Sequence, residues 1–251
     1  MCWGVGPSLA MVGVGVGATL VSRRAGHPSA VWLTLGYFTL MEVLQFASYP
    51  FVDQCGSTAN RTLAQLSFAH ILLQPIFVNA FAMTLIERPV PILMRRVVYG
   101  LCALSVVVMT MQVMPFELKG PCQPGDTVCG PQFCVLSGDW HIAWEFPYKL
   151  LTPTGTSWFF PDSINFRLSY GMMTYPIAFF LVPLLYGAWR FSLYCLVTGP
   201  LLARSLSDNP NEIPAIWCLF SVAIFFAAIL PSLRKILNFR VPEDNERTRL
   251  L

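Results

Sequence analysis

The sequence predicts an all-α polytopic membrane protein: a bundle of seven transmembrane helices, N-terminus outside and C-terminus cytosolic, with a disulfide-bearing outer loop. Three observations carry that expectation. The 251 residues are 55% hydrophobic and only 12% charged, against roughly 25% charged in ordinary soluble domains. Apolar runs of the roughly 20 residues needed to cross a hydrocarbon core of about 30 Å recur along the chain. Basic residues and a group of cysteines then sort onto opposite sides of those runs.

The runs fall at about 5–22, 29–51, 63–86, 97–114, 168–189, 191–206 and 213–232. With the N-terminus outside, the cytosolic side collects Arg23, Arg24, Arg88, Arg95, Arg96, Arg190, Arg234, Lys235, Arg240, Arg247 and Arg249. The outer side holds Arg61, Lys119, Lys149, Arg167 and Arg204 together with the acids Asp53, Glu117, Asp126, Asp139, Glu145, Asp162, Asp208 and Glu212. Positive loops resist translocation, so this asymmetry sets the orientation. The formal net charge of +3 is thus a topology signal and implies no nucleic-acid partner. No basic segment precedes the first apolar run, so no cleavable signal peptide is expected. The chain reads as one transmembrane domain, residues 1–240 with the outer loop at 115–167, followed by a cytosolic tail, 241–251.

Span one contains Gly13, Gly15 and Gly17. This G-x-G pattern lacks the preceding strand of a dinucleotide loop, and Gly13 with Gly17 reads instead as a small-xxx-small face for close helix packing. Pro75, Pro176, Pro183 and Pro200 fall within spans, where membrane bundles tolerate kinks whose freed carbonyls find neighbours. Cys55, Cys122, Cys129 and Cys134 all fall outside, an even number in an oxidising compartment, and predict two disulfides of unspecified pairing. The C-x6-C-x4-C spacing of the last three does not match a zinc knuckle. Asn60-Arg61-Thr62 is a glycosylation acceptor close to span three. The outer loop carries Trp140, Trp144, Phe146, Trp158 and Phe159, which read either as the interior of an ordered cap or as an aromatic belt at headgroup level.

Candidate functional residues are polar groups in apolar runs. Glu42 and Gln45 on span two and His70 and Gln74 on span three lie at matching depth, so Glu42 and His70 are expected to pair and the four to form two facing polar ladders. His141 and Glu145 stand four apart in the outer loop, aligned if that segment turns helically, and Glu212 stands at the mouth of span seven. Cys2 and Cys218, at a similar level, have three readings: a third disulfide, free thiols, or metal ligands. Two histidines with carboxylates can hold zinc or non-haem iron, but no local ligand motif such as H-E-x-x-H is present, so the cofactor is left unknown.

The segments MCWG, LMEVLQFASY, AHILLQP, WHIAWEFPY and NPNEIPAIWCLFS together resemble an uncharacterised family of multi-pass membrane proteins that typically begin MCWS, found in protists, algae and large DNA viruses. The resemblance implies a shared fold, and it covers Cys2, Trp3, Gln74, Pro75, His141, Trp144, Glu212, Trp217 and Cys218. The chain departs from the pattern at Gly4 and in the order of polar residues around Glu42 and Gln45.

Seven spans also fit a receptor, yet Glu87-Arg88 is followed by no N-P-x-x-Y in span seven, and that span has no lysine to hold retinal. Three functional classes are expected to compete. The first is a protein whose outward-facing intramembrane pocket, lined by Glu42, Gln45, His70 and Gln74, binds or transports a small molecule or ion. The second is a membrane-embedded metal-dependent enzyme using His70, His141 and Glu42 or Glu212. The third is a structural or accessory subunit with a dry interior. The tail ERTRLL offers Glu246, Leu250 and Leu251 as an acidic dileucine address for a sorting adaptor, which would direct the chain from the secretory pathway to the plasma membrane or endosomal and vacuolar membranes.

Overall fold

The computed structural model describes residues 4–87, 89–116, 118, 120–150 and 172–237. Cys2, Trp3, Trp158, Phe159 and the tail motif Glu246, Leu250 and Leu251 lie outside the described residues. Among the described residues, four helices are long and apolar enough to cross a membrane: α1 (Val5–Arg24), α2 (Ser29–Ser48, extended by a 3-10 turn at Tyr49–Phe51), α3 (Thr58–Met83) and α4 (Ile92–Val113). Each matches an expected apolar run. Within α3, 61% of the apolar window is buried, against 22% in α1 and α4, so α3 is the central helix and its neighbours present much of their surface to lipid.

The expected seven spans are met only in part. Residues 172–186 form an irregular helix, α5 (Thr174–Pro176) continued by a π turn at Ile177–Leu181 and a 3-10 turn at Val182–Tyr186; among the described residues the apolar stretch Thr174–Tyr186 is shorter than a full span, and the start of the expected run, 168–171, lies outside the described residues. Residues 189–206 combine α6 (Trp189–Leu196), a π turn around Gly199 and Pro200, and α7 (Leu202–Leu206). Proline breaks the i−4 hydrogen-bond pattern in both, while Arg190 and Arg204 dilute the apolarity of the second. The last run ends at Ile229: α8 (Ile213–Ile229) turns by 96° into α9 (Pro231–Leu237). Counting that bent pair as one crossing gives up to five spans by length and composition.

The fold is also not wholly helical. The outer loop contains an antiparallel hairpin, β1 (Cys134–Ser137) with β2 (Ile142–Glu145), in the register Cys134↔Glu145 through Ser137↔Ile142. Cys-Val-Leu-Ser and Ile-Ala-Trp-Glu carry the β-branched and aromatic residues that suit a pleated surface. The hairpin is an ordered cap over one end of the bundle, and Trp144 and Phe146 are fully buried in it beside Phe68 and Tyr148. They are cap core and form no headgroup belt.

The disulfides are Cys55–Cys134, which staples β1 to the start of α3, and Cys122–Cys129 within the cap. Cys218 is a buried free thiol, so the third-disulfide reading of that residue does not hold. Asn60 reinforces the first staple. Its Nδ2 donates to the carbonyls of Phe51 (2.7 Å) and Val135 (2.8 Å), and Val135 N–H donates to its Oδ1 (3.0 Å). The nitrogen a glycan would use is therefore buried and engaged, which answers the acceptor motif against modification in the folded chain.

Close packing of α1 on α2 runs through Gly15, where a Cβ would overlap Thr39, and not through Gly13 or Gly17, which face open space. The buried stripe of α1 is Ser8, Gly15, Ala18 and Ser22, a helical spacing in which small residues other than glycine complete the face. Two apolar clusters fill the interior. One, near the cap, joins Met41, Phe68, Met109, Ile142 and Trp144; the other, toward the opposite end, joins Leu35, Phe38, Phe81, Phe191 and Phe225.

Candidate functional site

Near the junction of the two clusters, side chains that a lipid-solvated bundle must satisfy internally form two hydrogen-bonded relays. The first begins where Gln45, one turn beyond Glu42 on α2, donates from Nε2 to the carbonyl of Ala215 on α8 (2.9 Å). That fixes the amide, because only its NH2 can serve a carbonyl. Gln45 Oε1 then accepts from His141 Nε2–H (3.1 Å), leaving Nδ1 to accept from the Tyr49 hydroxyl (2.9 Å), whose oxygen accepts from Ser8 Oγ (3.3 Å). The tautomer follows from the network. His141 is a neutral ring, fully enclosed, and burial lowers its pKa from 6.5 to about 3.

The second relay lies on α3. His70 Nε2–H donates to the carbonyl of Tyr37 (2.7 Å), and the Tyr37 hydroxyl donates back to the carbonyl of His70 (2.6 Å). The two rings stack with centroids 4.0 Å apart, and Phe77 stacks on the other face of Tyr37 at 3.8 Å. His70 Nδ1 accepts from Gln74 Nε2 (3.4 Å), the same amide nitrogen reaches Cys218 Sγ (3.5 Å), and Gln74 Oε1 accepts from the Tyr175 hydroxyl. Pro75 follows inside the continuous helix, and Asn79 stands one turn on. Its Nδ2 donates to the carbonyls of Pro75 (2.8 Å) and Ala178 (3.0 Å), and its Oδ1 accepts from the Tyr186 hydroxyl (2.8 Å). The π turn at Ile177–Leu181 thereby finds a partner for a displaced carbonyl.

Glu42 sits between the relays. Its residue is fully buried, and neither carboxylate oxygen has a hydrogen-bond partner among the described residues. On α2 it lies one helical turn before Gln45 of the first relay. The expected Glu42–His70 pair is not formed: His70 turns to Tyr37 and Gln74, so the two ladders are each closed by backbone and tyrosine groups. Glu42 remains the polar group with an unmet demand at their centre.

The remaining candidates belong to the cap. Glu212, immediately before α8, is fully buried. Its carboxylate accepts from the backbone N–H groups of Asp139 (3.2 Å), Trp140 (2.6 Å) and His141, and from Ser207 Oγ (2.5 Å). Successive N–H groups of a turn form such an anion-accepting nest. Glu212 thus holds the hairpin tip and sets the depth to which His141 enters the bundle. His141 lies at that tip and Glu145 at the far end of β2, so the expected helical alignment gives way to hairpin geometry. Glu145 packs against Gly130 at the part-exposed edge of the cap, where burial raises its pKa, and it does not join the relays. His70 and His141 each use both ring nitrogens, in different relays, and among the described residues no three His, Cys, Asp or Glu side chains are grouped to hold a metal.

The sequence reading missed the tyrosines. Tyr37, Tyr49 and Tyr175 supply the hydroxyls that close both relays; the available signal was a phenol inside an apolar run, since a buried Tyr needs a partner for its O–H. Asn79 carried the same signal one turn after Pro75.

A family match spans residues 6–238, described as a family of unknown function, DUF5765. The chain belongs to the DUF5765 family. The match takes in both relays, the hairpin and the cap disulfides, so the family's extent is the whole architecture described above. No curated protein and no solved structure matches the chain. Four apolar helices with two disulfides identify a membrane protein of an oxidising compartment in the secretory pathway.

Proposed function

We propose that this protein is a seven-span integral membrane protein, N-terminus outside and C-terminus cytosolic, that binds a proton or a small cation at Glu42 from the hairpin side. The observation carrying this reading is the enclosed carboxylate with no hydrogen-bond donor among the described residues. An ionised acid in a bilayer interior costs on the order of 2.5–3.5 kcal/mol even after relaxation. Neutralisation by a bound proton or cation removes that cost. Transport follows if occupancy of Glu42 loosens the closure of His141 over Gln45.

The test is flux into vesicles that hold purified protein and an interior pH or cation indicator. Glu42→Gln is expected to abolish a flux that the unaltered chain supports; equal flux from both would overturn the reading. A structural role is the second reading, favoured by the closed relays themselves, and it predicts an unaltered fold and no flux in either chain. The metal-dependent alternative would require His70 and His141 to abandon their present partners, and metal analysis of purified protein decides it. The tail residues Glu246, Leu250 and Leu251 are proposed as the adaptor-read address; unchanged sorting after deletion of both leucines would remove that part.

A further inference from the structure

At the end of the bundle opposite the hairpin, α1, α8 and α9 line an open pocket of about 420 Å³. Its lining combines apolar side chains, Val21, Phe226, Ile229 and Leu230, with the basic side chains Arg234, Lys235 and His27. Ser22 also lines it; this residue is 1% exposed, and its hydroxyl has no hydrogen-bond partner among the described residues. A buried donor left open beside two cations is a demand for an acceptor.

The depth of the cavity is marked by two arginine–tryptophan pairs at the same end. The guanidinium of Arg23 lies 5.4 Å from the ring of Trp32, and that of Arg190 lies 5.4 Å from Trp189. Tryptophan and arginine concentrate where hydrocarbon meets headgroups. The 96° turn after α8 lays α9 across this level, with Leu230 and Ile236 exposed and Arg190 Nη1 holding the Ile236 carbonyl at 3.2 Å. The pocket therefore combines an acyl-compatible wall, fixed positive charge and an unmet donor at headgroup height.

We propose that this cavity binds the phosphate headgroup of an anionic membrane lipid, with Arg234, Lys235 and Ser22 Oγ on the phosphate and an acyl chain along Phe226 and Ile229. Basic pockets between spans on one side of a membrane protein recognise headgroups in this way. The experiment uses the full chain purified in neutral detergent, with unfolding temperature followed against three probes: dihexanoyl phosphatidic acid, dihexanoyl phosphatidylcholine and inorganic phosphate. The acidic lipid is expected to bind most tightly. Arg234→Gln with Lys235→Gln should weaken it roughly thirtyfold, from about 1 kcal/mol for each cation. Ser22→Ala should weaken it several-fold, while Ser22→Thr retains binding. Phosphatidylcholine binding as tightly as phosphatidic acid would leave only an apolar groove. Inorganic phosphate binding as tightly would make it a free-anion site. Either outcome overturns the proposal, as does affinity unchanged in both the double variant and Ser22→Ala. Should the double variant fail to fold, the contrast between Ser22→Ala and Ser22→Thr decides the question alone.

Discussion

At the scale of single residues, the structure separates two buried acids of the same chemical kind. Glu212 receives three peptide N–H groups and a hydroxyl, whereas Glu42 has no donor among the described residues. Removing the first strands several buried donors, so Glu212→Ala is expected to destabilise the fold by about 3 kcal/mol, measured as the shift in thermal unfolding. Glu42→Gln substitutes a neutral amide for an unmet carboxylate and should leave stability equal or higher in the same assay. His141 makes stability pH-dependent. Its folded pKa, about 3, lies below the unfolded value near 6.5, so the unfolded chain takes up a proton first. The stabilisation is complete above about pH 6.5 and is lost as pH falls toward 3. The raised pKa of Glu145 acts with the opposite sign, but it is part-exposed and screened. Unfolding midpoints between pH 7.5 and 5 should therefore fall in the unaltered chain and fall less in His141→Gln. Glu42, Gln45, His70 and Gln74 were legible in the sequence as polar groups in apolar runs, and His141 and Glu212 as outer-face candidates in a loop and at a span mouth; all six are buried. Their partners were not, because a matching depth on two helices leaves the rotational phase of each helix undetermined. His70 is at the level expected of it, yet its ring faces Tyr37.

At the scale of elements, the four long helices could be read from the sequence because length and apolarity alone define them. The later segments could not. Pro176, Pro183 and Pro200 break them into α, π and 3-10 turns, and at one break a side chain far away in sequence supplies a donor. Asn79 bonds to the Ala178 carbonyl and the Tyr186 hydroxyl. Asn79→Ala is expected to cost about 2 kcal/mol and to increase amide exchange across 177–186, whereas Asn79→Gln overfills the site. The hairpin escaped notice because four-residue strands carry too little periodicity to compete with a helical reading of WHIAWE. Its attachment gives another prediction. The Cys55–Cys134 bridge spans 79 residues and Cys122–Cys129 only 7, which chain entropy would convert to about 4.5 and about 2.5 kcal/mol. Since α3 and α4 lie inside the longer loop and remain helical in a membrane after tertiary contacts are lost, its effective length is shorter. Cys55→Ser with Cys134→Ser is therefore expected to cost about 3 kcal/mol, and more than loss of the smaller loop, by denaturant unfolding in detergent.

At the scale of the whole molecule, charge and disulfides partition to opposite ends. The cap end carries both bridges and the Asn60 clasp, while the other carries Arg23, Arg190, Arg234 and Lys235 beside Trp32 and Trp189. The proposed orientation predicts that a C-terminal epitope is reached by antibody only after permeabilisation. A glycan on Asn60 Nδ2 would displace its bonds to Phe51 and Val135, so glycosidase is expected to leave the mobility of the folded chain unchanged. An epitope accessible on intact cells would reverse the topology. The burial of Asn60 was invisible in the motif, since Asn-x-Thr describes what an enzyme accepts in an unfolded chain and says nothing about where the amide goes afterwards.

Glu212 grips the hairpin tip through peptide N–H groups, so its own hold is indifferent to which letters occupy those positions. Gly138 is the exception, where any Cβ would strike the carboxylate. Asp139, exposed on the far side of the same grip, is then a natural grafting point: a fluorophore or short tag placed there would report from the surface while the imidazole beneath stays docked.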